Sequence, residues 1–416
     1  MSLRDHAGPL RQLNFRRFFL GEVINTAGSS MSGIALAFAV LHIENSATTL
    51  GWVVAAATIP MVTFMLLGGA VADRFPRALV LRGCNVAQGL VQAIAAVLVL
   101  TGAASVWHLV LLQFVSGTAF AASYPAFHGM VPILLPVQER KAAYLLINQT
   151  ESAIHIIGPA VAGALVAVIN PGWGLAVDAA TYFVAAYFLS LLQLPMGERL
   201  ERQESIIGDF RTGWTFARQL GWVLPVACCS LVYNALTSGG INILGPAISN
   251  DTIGSTGWGV GRAAEALGLF LFSFVLVRLA IRRPLIVIQV GFLTTALPML
   301  VLALAVHTPV LVAAFFVVGC GMGALHLSWS LTVQEKVPEE MLSRIMAIDG
   351  FFSFVAMPIG QLAVGPVESA IGSRSTEIAC AALVMITFLA AIASKPLREL
   401  RLDTHAEAKI NQSSAS

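Results

Sequence analysis

The sequence predicts an all-α protein that crosses a membrane twelve times, and three observations carry that prediction. Of its 416 residues 57% are hydrophobic and only 11% charged, with mean hydropathy +0.81, whereas about 25% of a soluble domain is charged. Apolar runs of about 20 residues recur along the chain, and at about 1.5 Å rise per residue each is long enough to cross a bilayer core as a helix. With twelve spans and both termini on one side, that side holds 22 of the 24 lysines and arginines, all but Arg262 and Arg374. The positive-inside rule makes it the cytoplasm.

Residues 1–14 are polar, and no small-residue cleavage site follows a short apolar core, so no removable signal peptide is expected. The first span is expected over residues 15–43, behind Arg16 and Arg17, the second over 51–71 and the third over 78–100. A tight charged turn, residues 69–77, joins the last two, and Arg74, Arg77 and Arg82 place it inside. The fourth span, 107–130, carries Gly117, Ala119, Ala121, Ala122 and Ser123, small residues that let helices approach closely. After Glu139, Arg140 and Lys141 a fifth span reaches residue 169, and a turn at Asn170, Pro171 and Gly172 leads into a sixth that ends near 194.

Residues 195–220 are the longest internal polar stretch. In its last part Phe210, Trp214 and Ala217 recur at helical spacing, which predicts an amphipathic helix on the inner surface. Six more spans follow, over 222–249, 258–281, 285–306, 310–333, 344–370 and 376–393, and then a polar tail.

The two halves resemble each other. Pro136, Glu139, Arg140, Gly158, Pro159 and Gly163 are echoed by Pro338, Glu339, Glu340, Arg344, Pro358, Gly360 and Gly365, and Asn25, Thr26, Gly28 and Ser29 by Asn234, Thr237, Ser238, Gly239 and Gly240. Such internal repeats are a mark of transporters. The expected organisation is a six-helix bundle over 1–194, a linker over 195–220, a second six-helix bundle over 221–394 and a cytoplasmic tail over 395–416.

Several function classes are disfavoured. A net charge of +2 offers nothing to nucleic acid, and no Gly-x-x-x-x-Gly-Lys-Ser/Thr loop is present to hold a nucleotide. No His-Glu-x-x-His or Gly-x-Ser-x-Gly element suggests a membrane hydrolase, so no enzyme is expected. The five cysteines fall in apolar segments without Cys-x-x-Cys spacing and read as reduced packing residues; no metal and no cofactor is expected.

Gly69, Asp73, Arg74 and Arg77, spaced Gly-x-x-x-Asp-Arg-x-x-Arg between the second and third spans, resemble the signature loop of the major facilitator superfamily. Pro76 stands where the family usually has a second glycine. Asn14-Phe15-Arg16, residues 136–163, residues 209–216 and residues 334–360 are similar to the branch that includes macrolide and siderophore exporters. The resemblance implies two pseudo-repeated six-helix halves and a conformational latch at the signature loop. Asp349, five residues past Arg344, has the depth of a latch partner. Where proton antiporters of the superfamily often have an arginine in the fourth span, this chain has Gln113.

Ionisable groups inside spans are costly enough to be functional by default. Glu22 lies about a third of the way into the first span, where a charge costs on the order of 3 kcal/mol unless paired. It is the first candidate for proton coupling, the alternative being that it lies near enough to the inner surface to pair with Arg16, Arg17 or water. In the fifth span Asn148, Glu151, Ser152, His155 and Pro159 share one face, and Glu151 and His155 form an i, i+4 pair suited to a proton relay or to a structural bond. Asn25 and Asn234 add polar groups to the expected cavity. Asp178, and Arg262 with Glu265, read as outer-gate or structural ion pairs. Tyr124, Phe127, His326 and Trp329 would suit an apolar cavity for an amphipathic compound.

The expected function is export of a drug or secondary metabolite by alternating access and proton antiport, by a monomer in a bacterial plasma membrane, the bilayer and protons being its partners. An importer or facilitator of a small metabolite is the nearest alternative, and a non-transporting membrane sensor a more distant one.

Overall fold

The computed structural model describes residues 8–193, 206–276, 281–304 and 307–401; within these, the side chains of 65–74, 206–212, 276, 339, 340, 343, 347 and 396 are outside the description. Among the described residues there are no strands, and twelve helices are long and apolar enough to cross a membrane. Six are Leu13–Ile43, Ala47–Arg74, Arg77–Leu100, Val106–His128, Val137–Val168 and Pro171–Ser190. The other six are Val223–Asn250, Gly254–Leu276, Pro284–Leu304, Thr308–Lys336, Glu339–Ile371 and Ser373–Ala393. They are called the first to twelfth spans below.

Local chemistry sets the ends of these helices. Asn170 caps the sixth span by accepting the Gly172 N–H at 2.8 Å, with Pro171 in the first helical position, where its missing N–H is no loss. The eleventh and twelfth spans are separated only by Gly372, whose φ of +83° and ψ of +154° form an extended positive-φ conformation open to glycine and to hardly any other residue. Residues 69–77, expected as a turn, are mostly helix. The second span runs on to Arg74, only Phe75 and Pro76 are non-helical, and the third begins at Arg77. Pro76 explains the sharp boundary, because proline disfavours helix in the residue before it and starts the next helix well.

Contacts divide the chain into two compact units. The first comprises the described parts of Met1–Arg202, Pro246–Ala263 and Gln361–Pro366. In it the first span packs on the fifth and sixth, the third on the fourth and sixth, and the second on the fourth. The second and fourth come together at Gly117, where a Cβ would strike the carbonyl of Ala57. At one end Phe15, Phe18, Met130, Ile147 and Leu189 form a buried apolar cluster, with Phe18 and Phe127 ring centroids 5.6 Å apart. Residues 246–263 join this unit through Ser255, which donates to the Gly163 carbonyl at 3.0 Å, and through Asp251, which accepts from Asn45 at 3.1 Å.

The second unit comprises the described parts of Gln203–Gly245, Ala264–Gly360 and Val367–Ser416. The twelfth span packs on the seventh and ninth, and the ninth on the tenth, around a ladder of Tyr233, Phe292 and Phe388 with centroids 4.4 and 5.0 Å apart. Two helices in it are irregular. The seventh is π-helical over Thr237–Leu244, and the ninth breaks at Thr294 and Thr295. The polar stretch before the seventh span ends in a helix, Ile206–Leu220, as its periodicity predicts. Ala217 on this helix is fully buried and Trp214 stacks on Phe352 of the eleventh span at 6.2 Å and 7°.

Candidate functional site

The polar residues of the first span fall on one face because 22, 26 and 29 are spaced by four and three. Thr26 donates to Glu22 Oε1 at 3.4 Å, a long contact that leaves the carboxylate without a strong partner. No ion pair joins Glu22 to Arg16 or Arg17; Arg17 donates instead to the Leu191 carbonyl. Glu151 of the fifth span lies within electrostatic reach of Glu22. Two acids from chain-distant helices thus lie within electrostatic reach of each other, and no ion pair is formed by either among the described residues.

One turn further along, the Ser29 hydroxyl bridges Asp178 Oδ1, at 3.0 Å, and the Tyr182 hydroxyl, at 3.3 Å. Asp178 has no exposed surface. Ser32 and Gln92 also face it, Gln92 donating to Ser32 Oγ at 2.9 Å. Tyr182 lies within electrostatic reach of both Asp178 and Glu22. The result is a polar seam between the first, third, fifth and sixth spans, with half-buried Glu151 and Glu22 at one end and buried Asp178 at the other. Small residues let it close, since a Cβ on Gly28 would strike Thr181 and one on Gly158 would strike Ser30.

Some expected residues stand apart from this seam. His155 is exposed, and no hydrogen bond or ion pair joins it to Glu151. Asn148 is exposed, and its carbonyl accepts from Ser152. Asn25 keeps a buried Oδ1 without a partner. In the other unit Asn234 is satisfied within its own helix, donating to the Ser230 carbonyl at 2.8 Å. Asp178 has Ser29 as its partner and not a basic residue. Arg262 and Glu265 lie one turn apart on the eighth span.

For the latch, the side chains of Gly69, Asp73 and Arg74 lie outside the described set; Arg77 packs its guanidinium over Gly129, and Asp349 is half-buried in the eleventh span. Phe127 belongs to the apolar cluster and Tyr124 packs on His128 at 4.5 Å. Trp329 packs on Trp222 at 6.0 Å, while His326 is exposed. Gln113 is buried with its amide nitrogen unpartnered.

Sequence reasoning missed Ser32, Gln92 and Tyr182, whose types are unremarkable in a span until the fold brings them beside Asp178. It also missed Glu377. This acid is fully buried in the twelfth span, and neither of its oxygens has a hydrogen-bond partner. Its signal was a glutamate two residues inside the expected start of a span, a place where charges usually reach water.

A family model described as transmembrane secretion effector matches residues 5–415. The multidrug efflux pump Tap of Mycobacterium tuberculosis is 26% identical over 92% of this chain and 93% of its own. Macrolide efflux protein A of Streptococcus pyogenes is 22% identical, covering 90% of this chain and 95% of its own. Among solved structures, the nucleoside transporter NupG superposes with a TM-score of 0.69 at 14% identity, over 93% of this chain and 99% of NupG, a likeness of fold.

Proposed function

The chain belongs to the transmembrane secretion effector family of the major facilitator superfamily, and from that premise we propose that it exports a small amphipathic compound, a drug or secondary metabolite, in exchange for protons. The relatives named as multidrug and macrolide efflux proteins support the substrate class. The single observation that carries the coupling is Glu22, held by no more than a 3.4 Å contact from Thr26 and within electrostatic reach of Glu151, inside the first unit. Like charges so placed cannot both stay ionised at low cost, so one of them takes a proton, and a substrate or a conformational change that separates them lets it go.

In this reading two six-helix halves, 1–194 and 221–394, alternate access across a bacterial plasma membrane, with both termini cytoplasmic and the protein a monomer. Gly69, Asp73, Arg74 and Arg77 latch one state with Asp349, and Arg262 and Glu265 serve the outer gate. Asp178 anchors the far end of the seam through Ser29.

The test is proton flux in inside-out vesicles, acidified by respiration and followed with a pH-sensitive dye while antibiotics, dyes and siderophores are added. A compound that is transported releases protons from the vesicles. Release per compound falls by half or more in Glu22→Gln and in Glu151→Gln. Unchanged release in both variants sinks the coupling scheme, and silence of the wild type across the panel favours an importer or facilitator.

A further inference from the structure

The seam in the first unit does not hold every buried acid among the described residues. In the second unit Glu377 has no exposed surface, and both its oxygens lack hydrogen-bond partners. Its carboxyl group lies over Gly240 of the seventh span: a Cβ built there would be 3.3 Å from Oε2 and 3.7 Å from Oε1, with the Met299 methyl also at 3.3 Å. Gly240 sits in the π-helical stretch Thr237–Leu244, where the Gly245 N–H reaches five residues back to the Gly240 carbonyl. The ninth span, which supplies Met299, is itself broken at Thr294 and Thr295. A buried acid therefore meets one irregular helix and the side chain of another. Short π-helical stretches gather at functional sites, and interrupted helices line the ion sites of transporters.

Among the described residues the surroundings supply no counter-charge. The ninth span and the π-helical stretch carry no titratable side chain, and the straight part of the seventh offers only Cys228, Cys229 and Tyr233. On the twelfth span itself Cys380 is one turn on, while Arg374, one turn back, is exposed and forms no ion pair with it. Glu368, at the end of the eleventh span, accepts from Ser373. Lys395, Arg398 and Glu399 lie beyond the opposite end of the twelfth span. A carboxylate left unpaired in such a place costs several kcal/mol, whereas the neutral acid does not bear that cost.

We infer that Glu377 is a second proton-binding site, which carries its proton in this conformation and exchanges it with water when the π-helical stretch of the seventh span draws away from it. A carboxylate oxygen takes the proton from water and returns it to water. Gly240 is the positioning residue, because a Cβ there would crowd Oε2 at 3.3 Å and press the carboxyl group to give way by a few tenths of an ångström. The inference goes beyond the coupling at Glu22 and does not rest on it.

The test is infrared spectroscopy of the purified protein in lipid nanodiscs, titrated from about pH 4 to about pH 9, the interval that spans ordinary and buried glutamates. Wild type is expected to show a protonated-carboxyl band that titrates, that shifts when the protein carries heavy-isotope-labelled glutamate, and that remains in Glu22→Gln. Glu377→Gln loses that one band, and Gly240→Ala moves its midpoint. If Glu377→Gln does not fold, Glu377→Asp keeps an acid and moves the band out of the isotope-labelled set. A Glu377→Gln spectrum identical to wild type in this region overturns the inference. So does disappearance of the band on adding sodium chloride at constant pH, which would make the place a sodium site.

Discussion

Ser29 holds Asp178 from across the bundle, beside Ser32 and Gln92. It gives the carboxylate its hydroxyl donor, at 3.0 Å, and the partner is 149 residues away in the chain. Hydrogen bonds inside membranes are worth about 0.6 kcal/mol on average and up to about 1.7, while bonds to charged groups reach about 1.5–3. Ser29→Ala is therefore expected to cost about 1–2 kcal/mol, read as a lower midpoint of thermal unfolding in detergent. Ser29→Thr, which keeps the hydroxyl, should lose less. If alanine and threonine behave alike, the bond does not hold the seam together. Residue types made Glu22, Glu151 and Asp178 visible as costly groups in apolar spans. Their neighbours were not visible, because nothing local in the chain says that Tyr182 will sit between two acids or that Gln92 will face one of them.

At the scale of the element, what hydropathy can read is length. The twelve spans and the helix carrying Trp214 and Ala217 follow from apolar runs and from a 3.6-residue period. The π-helical stretch at Thr237–Leu244 and the break at Thr294 do not, since a hydropathy window is blind to whether an N–H reaches four or five residues back. The second span likewise extends to Arg74 because charge does not forbid helix where the chain leaves the membrane. Close packing gives a prediction here. Gly117 faces the Ala57 carbonyl, and backbone cannot swing aside as a side chain can. Gly117→Val is expected to destabilise by about 1–3 kcal/mol through overpacking, seen as a smaller monodisperse fraction on size exclusion, whereas Gly83→Val, where a Cβ meets nothing within 4 Å, should be tolerated. On the surface helix, Trp214→Ala removes the ring stacked on Phe352 and should cost about 0.5–1.5 kcal/mol beyond the lost burial. A Trp214→Phe variant that recovers most of it would assign the loss to the aromatic contact.

The whole molecule carries buried acids in both units, and their number bears on how much work a cycle can do. A proton moving through about 100 mV gains about 2.3 kcal/mol, and one pH unit adds about 1.4. One proton per neutral substrate then sustains a gradient of about 500-fold, and two sustain about five powers of ten. With Glu22 and Glu377 each exchanging a proton in every cycle, the wild-type protein in proteoliposomes should balance at the voltage expected for two protons per substrate. Glu22→Gln and Glu377→Gln should each balance at the voltage for one. That outcome separates a coupling acid from a structural one, because a variant that is merely unstable transports more slowly and leaves the balance point where it was. A wild-type balance point at one proton, unchanged by Glu377→Gln, would leave the second unit's acid outside the energy coupling and the seam around Glu22 as its sole carrier.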